Sequence, residues 1–557
     1  MNNFQPRCTL PDSTPVFVKG PDVRSTLDIV WSSVAIILLC TWSILHLNVP
    51  PQVRPLPPPK STWETCRRAF WEAWYPFSRK VKWMLLTLIV PENIFGVALA
   101  EFWTSWQCTK QIQAFQEHEE KLADEIEWTR THTLYANMGG FVLKFPPKLV
   151  ESAIRDPREW TGDHFLWQMI HEGRAGHSHL GPFDWDAHLT HYELARTWIE
   201  YNDPDGARPE YVPPLPPLSE ESQRQQAQVK RGHGISGGPA IRRHAARAFQ
   251  GDAWTLTAAQ MLVARRVGII DRFPDVTAAD IDDKNKGDSV AKILALGQVV
   301  WLVVQLIARA KVSADAAANP PDSNDPRPHD RAVSPLEITA LAYAVCSFFT
   351  YLLLWGRPQD VRRPTVFHAV RSPTYEEFEA LLRVAPRIHG MINEEHQFRS
   401  YALPTSTVSS YEGQRGRPGG KTATWWSDGD LVMPGLMGGL TVFGGLHLIA
   451  WEFAFQGEKT QTLWRVLSLA ITAFPPVVLV AYKSLNWLTF KLESTKSGLG
   501  EACMGVTAML LWLVIGIFVC FFPLIRLGLL VEAFWSTYYL PPSAYLSTWA
   551  NEMPYVG

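Results

Sequence analysis

The chain has 557 residues, of which 46% are apolar and 19% charged, and its formal net charge is −2. That near-neutral balance argues against nucleic acid as the main partner. The length would suit about three or four soluble domains, but the average composition is the mean of strongly apolar runs and highly polar stretches. The cysteines, Cys8, Cys40, Cys66, Cys108, Cys346, Cys503 and Cys520, show no C-x-x-C spacing, so neither a zinc site nor a disulfide scaffold is indicated.

In chain order, an N-terminal tail over 1–26 leads into the first apolar run, 27–47, interrupted only by Asp28. About 20 apolar residues is what a helix needs to cross a bilayer, and the run is too late and too long for a signal peptide. It closes as CTWSILHLNVPP: Asn48, Pro50 and Pro51 end the helix, and Trp42 and His46, four residues apart, suit the headgroup layer. Further spans are expected at 83–106, 289–308, 336–355, 433–454, 465–485 and 504–522.

The fold class read from this pattern is an all-α membrane protein with about seven transmembrane helices, an interfacial C-terminal helix and a mainly helical soluble insertion. The boundaries are 1–26 for an outer tail, 27–106 for two spans, 107–288 for the soluble region with a disordered insert at 203–250, and 289–355 for two spans. A polar loop at 356–432, three spans in 433–522 and the interfacial helix and tail in 523–557 complete it.

Arg54, Lys60, Arg67, Arg68, Arg79, Lys80 and Lys82 between the first two spans put that loop in the cytosol and the N-terminus outside. Seven crossings then place the C-terminus in the cytosol and 107–288 outside, although Arg357, Arg362 and Arg363 follow the fourth span on that outer side. On this topology Cys8 and Cys108 share an oxidising compartment and are a disulfide candidate. No N-x-S/T sequon is present.

Residues 109–135 read as a charge-rich amphipathic helix, and the glycines of ANMGGF mark a turn into an extended stretch. A second polar loop, 312–333, is rich in proline, aspartate and asparagine.

Several segments together carry a resemblance: CTWSILHLNVPP, VPENIFGVALAEFW, EWTRTHTLYANMGGF, IDDKNKGD, SPLEITALAYA, LLLWGRPQDVRRP, FGGLHLIAWEFAF with the following LWR, and LPPSAYLSTWA. In order along nearly the whole chain, they resemble the landmarks of a large family of fungal multi-pass integral membrane proteins of uncharacterised function. The resemblance implies a fungal source and a membrane address, and it implies no activity, cofactor or catalytic residue. Asn285, Leu354 and Gly356 depart from the residues expected at those places.

Chemistry is therefore sought among polar residues at membrane depth, which are costly and face the bundle interior or water. Glu92 follows Pro91 in the middle of the second span, where a kink and a carboxylate together can build an ion or substrate site. Glu101, nearer the helix end, reads as an interfacial charge. Gln298, Gln305 and Arg309 share one face of the third span beside Trp301. Glu337 opens the fourth span as a dipole-complementing carboxylate. In the fifth span Gly435 and Gly439 form a G-x-x-x-G that would bring His447 and Glu452 near a partner helix, and Pro475 and Pro476 are expected to kink the sixth.

Metal-ligand candidates are confined to His171, His177, His179, His188 and His191, where the lack of an H-E-x-x-H favours surface histidines. There is no P-loop, dinucleotide fingerprint or G-x-S-x-G elbow, so no motif names a cofactor or a catalytic residue. The readings left are a channel or permease lined by Glu92 and the α-helical stripe of Gln298, Gln305 and Arg309, a membrane-embedded enzyme on a lipidic or terpenoid substrate, and a sensor or scaffold. The expected partners are the lipid bilayer and a protein bound through 107–288.

Overall fold

The computed structural model describes residues 24–50, 61–118, 126–145, 253–285, 289–318, 332–371, 432–493 and 521–546, with small gaps and a few isolated positions besides. It is mostly helical. Helix α1, Thr26–Ser43, opens with a capping box in which Ser25 and Asp28 satisfy each other's backbone N–H groups. Asp28, the apparent flaw in the apolar run, is thus what starts it.

Helices α2, Thr62–Ile89, and α3, Pro91–His118, are bent by 104° at Val90. Pro91 has no N–H to continue α2 and pushes the residue before it out of helical geometry, and Val90 sits at φ −136°, ψ 70°. The expected second span is therefore two helices meeting at a sharp corner. The amphipathic helix expected at 109–135 is also redrawn: its first part is the continuation of α3 to His118, and a separate α4 follows at Arg130–Asn137.

After α4 the chain turns through Gly139 and Gly140 into β1, Phe141–Lys144. Gly139 has φ +84°, which favours glycine. A Cβ at Gly140 would lie 2.5 Å from the Tyr135 ring. Strand β1 pairs antiparallel with β2, Ala253–Thr255, and parallel with β3, Thr365–His368, in register Phe141 to Thr365. This sheet, with α4, α5 (Ala258–Arg266) and α6 (Ala278–Asp283), makes a polar module around Trp128, Tyr135, Phe141, Trp254, Met261 and Phe273. The expectation of a mainly helical insertion with an extended stretch after ANMGGF includes β1 but not the sheet, whose other strands come from distant parts of the chain.

Helices α7, Ser289–Ala318, and α8, Pro335–Leu353, follow, then α9, Val432–His447, α10, Glu458–Glu493, and α11, residues 521–536. Among the described residues three helices are long and apolar enough to cross a membrane: Thr26–Ser43, Leu296–Asp315 within α7, and Pro335–Leu353. The α2–α3 pair would be a fourth, and Pro434–Ala450 is a shorter apolar helix. Seven separate long spans are not what the described residues contain; the seventh, 504–522, lies mainly outside them. Helix α10 runs through Pro475 and Pro476 as one element.

Helix α11 contains Pro523, and it buries Phe522, Leu529 and Ala533 in a cluster with Leu336, Leu440 and Trp464. Leu524, Leu527 and Val531 point outward, as do Leu38, Val300, Phe349, Val442 and Val480 on other helices. An outer surface of this extent and apolarity suits hydrocarbon, not water.

Candidate functional site

The packing of α9 on α3 sets the central site. A Cβ at Gly435 would lie 2.9 Å from Gly96 Cα, and one at Gly439 would lie 3.0 Å from Glu92 Cβ. The G-x-x-x-G thus works as small residues do between membrane helices, letting two backbones close together. Its partner is the first turns of α3, where Glu92 sits.

Glu92 is wholly buried and forms an ion pair with Arg526 of α11, whose side chain is 2% exposed. The guanidinium lies 3.6 Å from the centroid of Phe443 and 5.5 Å from that of Phe522. Glu92 Oε2 and Arg526 Nε have no hydrogen-bond partner among the described residues. Nearby, the Tyr343 hydroxyl donates to Leu88 O, one of the last-turn carbonyls left by the break of α2. The break, the carboxylate and the cation are therefore one assembly.

A second buried node marks one end of α8. Glu337 accepts from Arg24 Nη2 at 2.6 Å through one oxygen, and from Ser334 N and Oγ at 2.9 Å through the other. The helix-start role expected of Glu337 is present, with a cation added. Arg309 at this end donates to Ala332 O at 2.9 Å, Ala544 O at 2.7 Å and Leu546 O at 3.1 Å. It staples α7 to the C-terminal segment, while Gln298 and Gln305 are half-buried along the same helix.

The third node lies at the other end of α8, against the polar module. Asn48 Oδ1 accepts from Arg357, Asn48 O accepts from Arg79 at 2.9 Å, and Gln359 Nε2 donates to Ser43 O at 2.6 Å. Asp360, at φ 54°, pairs with Lys80 at 2.7 Å. Glu101 is 1% exposed, a charge buried within the protein, because the module brings Arg357 and Arg130 alongside it. Burial lowers the pKa of Arg357, and Glu101 opposes that shift. Lys284 donates to Thr365 Oγ1 at 2.5 Å, joining the DKNKGD segment to β3.

His447 is buried with its Nδ1 2.8 Å from Phe443 O, its ring 4.8 Å from that of Phe443 and 5.6 Å from that of Trp464. Glu452 is not packed inside the bundle: its side chain is 80% exposed and meets Arg465 at 3.2 Å. Cys108 is a buried free thiol, whereas Cys8 and the histidines His171, His177, His179, His188 and His191 lie outside the described residues. Among the described residues no group of His, Cys, Asp and Glu could hold a metal ion. Arg526, Arg24 and Tyr343 were not singled out from sequence; a lone arginine within the apolar run of 521–531 was the signal for the first.

The fold and these nodes define a helical protein with apolar, membrane-length helices, buried ion pairs between them and a polar α/β module at one end. The chain belongs to a family of unknown function (DUF8562), whose model matches residues 4–156 and 228–424. No curated protein and no solved structure matches it.

Proposed function

We propose that the protein is a multi-pass integral membrane protein that moves an ion or small solute, with Glu92 and Arg526 as its gate. The observation that carries this reading is a helix broken beside a fully buried, incompletely satisfied ion pair. Broken helices at membrane depth build solute sites because their freed backbone groups and inward charges need partners that water or a passing ion can supply. In the closed arrangement Arg526 neutralises Glu92. Protonation of the carboxylate, or a cation competing for Oε2, weakens the pair and frees α11 to shift against α3 and α9.

The test is proton and cation flux across liposomes holding the purified chain, wild type beside Glu92→Gln. Wild-type flux that the folded variant loses supports the gate; no flux from either folded protein sinks it. The alternative of a membrane-embedded enzyme on a lipidic substrate would use His447 as acid or base. It is favoured less, since that ring is already flanked by Phe443 and Trp464 and bonded through Nδ1.

A further inference from the structure

We infer that α2 and α3 form a re-entrant hairpin whose two arms both open on the face carrying the polar module. A bend of 104° exceeds a right angle, so α3 turns back toward the side from which α2 came.

The two arms also reach the same landmarks. On α2, Lys80 meets Asp360 at 2.7 Å and Arg79 meets Asn48 O at 2.9 Å. On α3, Glu101 stands beside Arg357, and Arg130, which stands beside it too, donates to Leu353 O at 3.0 Å. Leu353, Arg357 and Asp360 are all at or just past the C-terminal end of α8. Between the arms the tip meets the interior of α8, through Tyr343 and Leu88 O. The opposite end of α8, marked by Arg24 and Glu337, is touched by neither arm in any of these contacts.

The depth agrees. From Lys80 to the break and from the break to Glu101 is about ten residues each way, roughly 15 Å of helix, or half of the roughly 30 Å hydrocarbon layer. The hairpin goes in halfway and comes out.

The remaining helices then alternate. Helices α1 and α8 run from the Arg24–Glu337 end to the polar-module end, and α7 runs back to Arg309. Helix α9 starts with Gly435 against Gly96 and leads to Ala450, which packs with Leu336. Helix α10 leaves from there, its Trp464 Nε1 bonded to His447 O at 3.1 Å. Helix α11 returns to the same end, and Arg24 N donates to Tyr545 O at 3.0 Å beyond it. Among the described residues, six crossings and one hairpin place Arg24 and Tyr545 on one face and the polar module on the other.

This arrangement gathers Arg67, Arg68, Arg79, Lys80, Lys82, Arg357, Arg362 and Arg363 on the module face. The positive-inside rule makes that face cytosolic. The seven-crossing topology had split these residues between the two faces. It had also put the module outside and the C-terminus inside; the hairpin exchanges both. The inference rests on membrane placement and not on solute movement.

The test uses the full chain with Cys8, Cys503 and Cys520 replaced by serine, keeping the exposed Cys66 on α2, and adding Glu117→Cys at an exposed position on α3. A membrane-impermeant maleimide applied to oriented vesicles should modify both thiols from one side, with loss of both from the other. A thiol from Lys459→Cys, at the start of α10, should react only from that other side. Cys66 and Glu117→Cys reacting from opposite sides would overturn the hairpin. If the thiol variants fail to fold, protease sites inserted before Ser61 and after His118 in the native chain ask the same question, with cleavage of both from one side expected and from opposite sides refuting it. Loss of the flux reading leaves either result intact.

Discussion

Two buried ion pairs join helices among the described residues, and they are built differently. At the Arg24–Glu337 pair both carboxylate oxygens are used, one by the guanidinium and one by the Ser334 cap, leaving Arg24 Nη1 over. At Glu92–Arg526 the acid and the base each keep a polar atom without a hydrogen-bond partner among the described residues. Any rearrangement of a buried carboxylate whose two oxygens are both engaged costs free energy. One with an idle oxygen has less to lose. The contrast assigns a static, end-of-helix role to the first pair and a movable role to the second.

The strongest way to break the contrast is to remove one charge from each pair. Arg24→Leu and Arg526→Leu both strand a carboxylate in the interior and should each cost about 3–5 kcal/mol, read as loss of the folded fraction in detergent. The pairs should part in the neutralising variants. Glu92→Gln leaves the Arg526 guanidinium buried without its counter-charge, so it should lose flux in the fraction that stays folded, and Glu337→Gln should lose stability while the surviving protein keeps its flux. A folded Glu337→Gln protein without flux would erase the distinction.

Of smaller size is the effect of crowding the mobile pair. At Gly439 a new side chain meets Glu92 Cβ and Phe95, whereas at Gly438 nothing lies within 4 Å of a built Cβ. Gly439→Leu should therefore cost about 1–3 kcal/mol by overpacking, and Gly438→Leu should change the melting temperature little. Equal effects at the two positions would mean that α9 does not pack on α3 through this face.

The sequence made local features of these nodes visible and hid their partners. Glu92 after Pro91 is legible because an acid beside a proline in an apolar run is rare and costly, and the helix-start role of Glu337 follows from Ser334 and Pro335 ahead of it. Gly435 and Gly439 announced a close helix contact without naming α3. Arg526 as the partner of Glu92 lies 434 positions away, and β1 pairs with a strand more than 200 residues later. No local periodicity encodes such distances. Hydropathy also treats 83–106 as one span, since a window average cannot register the 104° bend at Pro91.

The smallest predicted effect carries the same rule into the polar module. His132 is fully engaged: its Nδ1 accepts from Thr129 N at 3.1 Å, and its Nε2 lies 2.7 Å from Val276 O. That pattern selects the neutral ring with the proton on Nε2, because Nδ1 must accept and the carbonyl needs a donor. Burial lowers the His132 pKa, opposed by the bond to Val276 O. With the folded value below the unfolded one, the contribution to stability is present above the unfolded pKa and is lost as pH falls through the folded value, once Nδ1 gains a proton facing the Thr129 N–H. Amide exchange in β1 should accordingly quicken as pH falls below about 6.5, after correction for intrinsic exchange rates. His132→Phe should remove that dependence and leave a pH-independent loss, because the two hydrogen bonds disappear together. Exchange that slows with acid would mean that the ring is charged in the folded module, and that full engagement does not fix its state.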